Sequence, residues 1–244
     1  MSAFEVTDTV GDIVVRRPGL SRAFERAGID YCCGGRKTLD EACREKGLNP
    51  QAFMTELERA VAPAGEEQTV DAAAMSLSDL ADHLEQTHHV YLHSELPRLE
   101  GMTEKVASVH GDKDARLLEV SQVFRGLADE LSSHLMKEEQ ILFPMVRQLE
   151  ASQNAPLFHC GSVGNPIRVM GIEHDDAGAA LAKLRELTDG YTSPDWACGT
   201  YRGMLDGLAQ LEWDLHQHIH KENNVLFPRA IEMEARKSAS LRGA

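Results

Sequence analysis

Apolar side chains recur with the period of an α-helix over four long stretches, at residues 76–109, 114–149, 166–189 and 196–236. In no stretch do apolar and polar residues alternate convincingly as along a half-buried β-strand. Four helices of this length with short connections are typical of an antiparallel four-helix bundle. The pattern therefore predicts an all-α protein whose main domain spans residues 76–236.

A separate small helical domain is predicted for residues 1–62, in front of the bundle. Thr38 and Glu41 within it have the spacing of a capping box, which marks the start of a helix. Residues 63–75 combine Pro, Gly, Ala and acidic residues without an apolar period, so they are predicted to form a linker. Residues 237–244 are predicted to be a frayed tail.

A repeated motif lies in the second and fourth predicted helices. The sequence HLMKEEQILFP at residues 134–144 recurs as HIHKENNVLFP at residues 218–228, 84 positions further along the chain. Each copy has a His and a Glu four positions apart, which places an imidazole and a carboxylate on one face of a helix. The pairs are His134 with Glu138 and His218 with Glu222, each followed one turn later by a leucine, Leu142 or Leu226, that could exclude water.

A further histidine precedes each pair at a matched distance. His89 on the first predicted helix lies 45 residues before His134, and His174 on the third lies 44 residues before His218. The bundle then consists of two half-units that bring four imidazoles and two carboxylates into an apolar core. Buried carboxylates without partners are costly, whereas metal ions would compensate them, and each carboxylate can bridge two ions. Because no thiolate belongs to this set, the two-metal design favours iron.

Two other interpretations of these pairs are less favoured. A single His-x-x-x-Glu pair is more often a hydrogen-bonded pair on a helix surface, but two copies in register favour metal binding. Ferritin-like bundles use Glu-x-x-His, the opposite order, so that class is not favoured.

More than one histidine could be the metal ligand on the first helix. The sequence THHVYLH contains His88, His89 and His93. The spacing from Leu84 favours a core position for His88. The 85-residue offset to His174 favours His89, which we take as the predicted ligand.

Charge and composition exclude some classes of partner. The chain has 244 residues, a formal net charge of −14 and 42% hydrophobic residues, as expected of a globular protein. Because the acidic surplus would repel a phosphate backbone, no nucleic acid is expected as a partner. No stretch approaches the roughly 20 apolar residues that span a bilayer, and the first residues form neither a basic nor an apolar run. We therefore expect a cytoplasmic protein without a membrane partner.

Two adjacent cysteines, Cys32 and Cys33, lie in the sequence IDYCCGG at residues 29–35, where the glycines permit a tight turn. Neighbouring residues do not easily form an unstrained disulfide. With Arg36 and Lys37 nearby, lowered thiol pKa values are expected, which would suit a redox pair or a transient iron ligand. The alternative is two partly buried thiols at a turn. The other cysteines, expected to be structural, are Cys43, Cys160 and Cys198.

These motifs together carry a resemblance to a known family. The sequences DYCCGG, SSHLMKEEQILFPM, EHDDAG and HIHKENNVLFPRA resemble the repair-of-iron-centres family, whose larger domain is a hemerythrin-like bundle, and the likeness runs from about residue 10 to residue 236. It implies an antiparallel four-helix bundle with two non-haem iron ions, bridged by an oxo group and carboxylates. The ligands that it implies are His89, His134, Glu138, His174, His218 and Glu222.

The resemblance also indicates what kind of iron centre this is. Oxygen-carrying hemerythrins are similar but have a fifth histidine four residues after the third-helix ligand, where this chain has Gly178. Fewer protein ligands leave open positions on iron, which suits a reactive or labile centre. His110 matches another family histidine near the site, and a supporting or surface role is expected for it. The paired cysteines, Cys32 and Cys33, are implied in electron or metal exchange by a mobile N-terminal domain.

Repair of iron–sulfur clusters damaged by nitrosative or oxidative stress is the function that the resemblance implies. Iron would be donated to damaged iron–sulfur proteins or to an apo-scaffold. The alternatives are a nitric oxide reductase that forms nitrous oxide, with Cys32 and Cys33 returning electrons, and a passive oxygen or nitric oxide sensor. The sequence does not identify the recipient, the electron donor or the oligomeric state, for which a homodimer is one option.

Overall fold

A computed structural model describes residues 4–60 and 70–242 of the chain. Helices of three kinds make up its regular structure, and within these two ranges there is no β-strand. The all-α prediction is therefore confirmed. No helix in the described ranges is long and apolar enough to cross a membrane.

Four short helices form the small domain: α1 (Val10–Arg16), α2 (Ser21–Arg26), α3 (Leu39–Glu45) and α4 (Pro50–Ala60). The predicted capping box is present, since the Thr38 hydroxyl accepts from the backbone N–H of Glu41 and the Glu41 carboxylate accepts from the backbone N–H of Thr38. The domain has its own apolar core, which includes Ile13, Phe24 and Leu57.

The bundle consists of four long helices, three of which contain a π-helical turn. The first runs through α5 (Leu77–Leu84), a π turn (Glu85–His89) and α6 (Val90–His110), and the second through α7 (Arg116–Lys137), a π turn (Glu138–Leu142) and α8 (Phe143–Ala151). The third is α9 (Gly164–Leu187), and the fourth runs through α10 (Gly199–Lys221), a π turn (Glu222–Leu226) and α11 (Phe227–Arg242). Because α5 packs against α8 and α6 against α7, the first two helices run antiparallel.

Two boundaries differ from the sequence prediction. The fourth helix continues to Arg242, so the backbone of residues 237–242 is helical where a frayed tail was expected. Within the predicted linker, residues 63–69 lie outside the described residues, and Ala72–Ala74 forms a 3₁₀ turn.

The core of the bundle is divided into two apolar clusters. One includes Leu92, Leu131 and Leu215, and the other includes Leu84, Leu142, Met170 and Leu226. The buried histidines and glutamates lie where the two clusters meet, so a polar layer crosses the bundle with apolar side chains on both sides. Such packing keeps water away from any group bound in the layer.

Candidate metal centre

The polar layer contains all six residues that were predicted as ligands. Each of them is at most 2% exposed, and the two glutamates are completely buried. They are His89, His134, Glu138, His174, His218 and Glu222.

Their side chains form two overlapping groups. One group contains His89 and His218, the other contains His134 and His174, and both include Glu138 and Glu222. In each group, one ligand atom from every residue lies within 4.8 Å of the others. Because both carboxylates belong to both groups, the arrangement suits two metal ions with two bridging carboxylates.

The distances show how the carboxylates connect the groups. Glu138 Oε2 lies 3.5 Å from His89 Nε2 and 3.3 Å from His134 Nε2. Glu222 contacts His174 Nε2 through Oε2 and His218 Nε2 through Oε1, both at 3.2 Å. Each carboxylate thus reaches one imidazole of each group.

Unpartnered polar atoms provide a test of whether a metal fits here. Among residues 4–60 and 70–242, no contact with the geometry of a hydrogen bond is made by either oxygen of Glu138 or Glu222, or by Nε2 of His89 and His218, although imidazoles and carboxylates lie close together. Buried acceptors without partners are costly, and bound cations would satisfy them. Imidazole and carboxylate ligands suit iron, so the residues present fit the implied metal.

Protons on the imidazoles can partly compensate the charge of the buried carboxylates. Burial disfavours the charged imidazole of His134, but the nearby Glu138 and Glu222 carboxylates outweigh burial and raise its pKa to about 9. Burial would raise the pKa of Glu222, but the nearby imidazoles of His218 and His174 outweigh burial and hold this pKa well below the usual value. A metal ion binding here must displace these protons.

The π turns of the second and fourth helices begin at the two glutamates. A π turn adds one residue to the helical turn, so the side chain five positions after each glutamate lies near the layer. The Phe143 ring lies 5.4 Å from the His89 ring, and the Phe227 ring stacks on His174 at 5.9 Å. With the spacing of an α-helix, the sequence predicted Leu142 and Leu226 beside the site. It did not predict the two phenylalanines, because their position depends on the π turns.

The π turn of the first helix explains the ambiguity between neighbouring histidines. It buries both His88 and His89, at 5% and 1% exposure. Only His89 belongs to a metal group, whereas His88 Nδ1 pairs with Asp214 Oδ1 at 2.9 Å. His93 is more exposed and bonds to Glu139. The core position that the spacing from Leu84 predicted for His88 is confirmed, and the π turn buries the next residue, His89, as well.

Three of the four histidines have an oxygen partner on the ring nitrogen that faces away from the centre. Such partners fix the tautomer, so that Nε2 is directed at the metal position. The pairs are His89 with Glu139 at 3.0 Å, His134 with Glu173 at 2.9 Å and His174 with Asn223 at 2.9 Å. Sequence reasoning missed these partners, although each is adjacent in the chain to a predicted ligand.

The cysteine turn of the small domain lies directly against the third helix. The Cys33 thiol donates to the backbone carbonyl oxygen of His174 at 3.4 Å. A Cβ placed on Gly178 would lie 3.7 Å from Cys33 Sγ, so this sulfur borders the position where oxygen carriers have a fifth histidine. The turn is held by Asn224, whose amide donates to the carbonyl oxygen of Cys32 at 3.4 Å.

The expectation of a lowered thiol pKa is wrong for Cys32. Its pKa is raised well above the usual value by the neighbouring Cys33 thiol, by burial and by the Asp30 carboxylate. Lys37, which was expected to favour the thiolate, instead pairs with Glu45 at 2.6 Å. The two sulfur atoms lie 3.9 Å apart, as separate thiols.

Cys198 differs from the structural role expected for it. It is exposed, and its Sγ lies 3.3 Å from His110 Nε2. The hydrogen bond from His110 and the backbone N–H groups of Tyr201 and Thr200 lower its pKa to about 7. His110 itself belongs to neither metal group.

Comparisons with known proteins agree with this architecture. Residues 80–230 match the hemerythrin HHE cation binding domain, and residues 6–61 match ScdA_N, a domain of unknown function (DUF542). The chain is 39% identical to the iron-sulfur cluster repair protein YtfE of Enterobacter sp. (strain 638), over 91% of this chain and 96% of the relative. It is 38% identical to the YtfE protein of Citrobacter koseri, over 91% and 96%, and 36% identical to that of Pectobacterium carotovorum, over 93% and 97%. The chain therefore belongs to the family of YtfE-type iron–sulfur cluster repair proteins, with an ScdA_N domain in front of a hemerythrin HHE domain.

Proposed function

We propose that this chain holds two iron ions and donates iron to repair iron–sulfur clusters damaged by nitrosative or oxidative stress. The sharing of Glu138 and Glu222 between two buried imidazole pairs is the observation that carries the proposal. The relatives named iron-sulfur cluster repair protein YtfE support the same role. The recipients would be damaged iron–sulfur proteins or an apo-scaffold, and the expected location is the cytoplasm.

The composition of the site suits a donor of iron better than a permanent carrier of oxygen. Six side chains serve two ions, and at Gly178 no side chain is present to add a seventh. Ions with few protein ligands keep positions open to solvent or to an acceptor. We propose that Cys32 and Cys33 take part in this exchange, because Cys33 contacts the backbone of a candidate ligand.

Iron transfer tests the proposal. The protein, loaded with ⁵⁷Fe under anaerobic conditions, is mixed with an iron–sulfur protein whose cluster has been destroyed by nitric oxide, with sulfide and a thiol present. We expect ⁵⁷Fe in the restored cluster and recovery of the recipient's activity. The Glu138→Leu variant serves as the control and should restore little. If the loaded wild-type protein restores no more cluster than free ferrous iron, donation is wrong.

A second candidate function is nitric oxide reduction. A cavity of about 380 Å³ adjoins one imidazole pair and is lined by His134, His174, Leu131 and Ala177, so a diatomic molecule could approach the centre. Two reduced iron ions would supply adjacent binding positions and two electrons for coupling two molecules of nitric oxide, with two protons, to nitrous oxide and water. Several equivalents of nitrous oxide per chain, in the presence of a reductant, would establish turnover. One equivalent or less favours donation or passive sensing.

A further inference from the structure

The two halves of the centre follow one sequence repeat but differ in the residues that surround the ligands, and the difference beside His134 and His218 is the largest in chemistry. His134 corresponds to His218, and Lys137 corresponds to Lys221, each pair 84 residues apart. The third-helix histidine corresponds to the first-helix histidine, so the residues that precede them, Glu173 and His88, also correspond. A carboxylate in one half is therefore replaced by an imidazole in the other.

In the half that contains His134, the carboxylate supports the ligand. Glu173 Oε2 accepts from His134 Nδ1 at 2.9 Å, and the other oxygen of Glu173 pairs with Lys137. A carboxylate that accepts from an imidazole fixes the tautomer and makes the opposite nitrogen a stronger metal ligand.

In the half that contains His218, this support is missing. The His88 ring stacks on the His218 ring at 5.3 Å with an interplanar angle of 4°, and its nitrogens pair elsewhere, with Asp214 at 2.9 Å and with Lys221 at 2.7 Å. His218 is 1% exposed, and its Nδ1 has no hydrogen-bond partner in the described part of the chain.

The lysines of the two halves also pair differently. Lys137 is neutralised by Glu173. Lys221 contacts His88 Nε2, and a ring nitrogen that accepts from an ammonium group carries no proton. His88 therefore offers no negative charge to the His218 imidazole, whereas Glu173 offers one to His134. The carboxylates in the half that contains His88 pair with other rings, Asp214 with His88 and Glu139 with His89.

The remaining two ligands do not reverse the difference. His89 has the carboxylate of Glu139 and His174 has the amide oxygen of Asn223, so each of these imidazoles is oriented. The position between His134 and His174 thus has two supported imidazoles, while the position between His89 and His218 has one.

We propose that the metal position between His89 and His218 is the weaker of the two and releases its iron first. The inference rests on the proposed two-iron centre and assigns the donated ion to one position. Loss of an outer partner of a metal-bound histidine typically lowers metal affinity by about 10- to 100-fold. His88 is the residue of this chain that sets the difference.

Chelator competition tests this assignment. The full chain, loaded anaerobically with two ferrous ions, is mixed with a chromogenic ferrous chelator, and the released iron is followed by absorbance. We expect two phases of one iron per chain, with rates that differ by about 10- to 100-fold. His88→Glu supplies the missing carboxylate and should slow the fast phase, whereas Glu173→His removes the existing one and should accelerate the slow phase. His159→Glu adds the same charge at an exposed position and should change neither phase.

A second pair of variants assigns the phases without adding a charge to the core. His89→Ala should remove the fast phase and keep the slow one, and His174→Ala should do the reverse. The assignment is overturned if His89→Ala removes the slow phase, or if both wild-type ions leave in a single phase. Either result contradicts only the assignment of the weaker position and is still compatible with the proposed two-iron centre. A wild-type chain that never binds more than one iron contradicts the proposed function as well.

Discussion

The thiol of Cys33 donates to the backbone carbonyl oxygen of His174 at 3.4 Å, so the small domain touches a candidate ligand of the buried metal centre. The contact is made beside Gly178, where a larger side chain would meet the sulfur. The paired cysteines lie outside the two groups of imidazoles and carboxylates, and together with Asp30 they form a separate group that could hold a metal ion.

Removal of both thiols should slow the re-reduction of the oxidised metal centre without changing its iron content. For Cys32→Ala/Cys33→Ala we expect two irons per chain, as in the wild type, but re-reduction of the oxidised centre by a dithiol donor at least several-fold slower. Stopped-flow absorbance measures the rate, and metal analysis measures the content. Cys198→Ala is the matched control, because this exposed thiol lies outside both metal groups. Equal rates in the double variant and the wild type would contradict a redox role for the pair.

The close fit of the cysteine turn should make Gly35 sensitive to any side chain. A Cβ at Gly35 would lie 2.7 Å from the Tyr31 carbonyl oxygen and 2.8 Å from Asn224 Oδ1, so Gly35→Ala must shift the turn. We expect a loss of about 1–3 kcal/mol in the free energy of unfolding and faster alkylation of Cys33. Denaturant melts and peptide mass spectrometry measure the two effects. Gly19→Ala, with no atom within 4 Å of its Cβ, should leave both unchanged.

The sequence predicted the fold because helical period is local and was strong in all four bundle helices. It also identified the six residues of the polar layer, because the repeat placed His134 with Glu138 and His218 with Glu222 at α-helical spacing. The sequence missed whatever depends on a π turn, such as the stacking of Phe143 on His89, since that turn changes the spacing by one residue.

The sequence also did not predict contacts between residues that are far apart in the chain. The raised pKa of Cys32 depends on burial, on Cys33 and on Asp30, whereas the sequence showed only the nearby basic residues. The activation of Cys198 by His110 joins residues that are 88 positions apart, and neither residue belongs to a motif.

Loss of one of the two shared carboxylates should lower the iron content that we propose for this chain. Glu138 reaches an imidazole of each pair, so Glu138→Leu weakens both positions at once. We expect fewer than one iron per chain after reconstitution and desalting, measured by metal analysis. Glu130→Gln, an exposed carboxylate two turns earlier on the same helix, should keep two irons. If Glu138→Leu also keeps two, the assignment of Glu138 as a ligand is wrong.

Metal removal should lower the stability of the bundle. A ligand that binds only the native state stabilises it by about 2.7 kcal/mol at 100 times its dissociation constant and by about 4.1 kcal/mol at 1,000 times. We therefore expect the melting temperature to fall when iron is removed with a chelator, as measured by calorimetry under anaerobic conditions. Iron removal should lower the melting temperature of Glu138→Leu much less than that of the wild type. It should lower that of Glu130→Gln by the same amount as in the wild type. A wild-type melting temperature that is independent of iron would contradict binding in the core.

The Cys198 thiol should react at neutral pH in a way that depends on His110. The hydrogen bond from His110 and the helix N-terminal N–H groups lower its pKa to about 7, so the thiolate accumulates as pH rises through this value. We expect its rate of alkylation by iodoacetamide, measured by peptide mass spectrometry, to be half-maximal near pH 7. His110→Ala should move the midpoint toward about 8.5, the value of an ordinary thiol. His159→Ala, which removes an exposed histidine elsewhere, should leave it in place. Identical pH profiles for His110→Ala and the wild type would show that the imidazole does not activate this thiol.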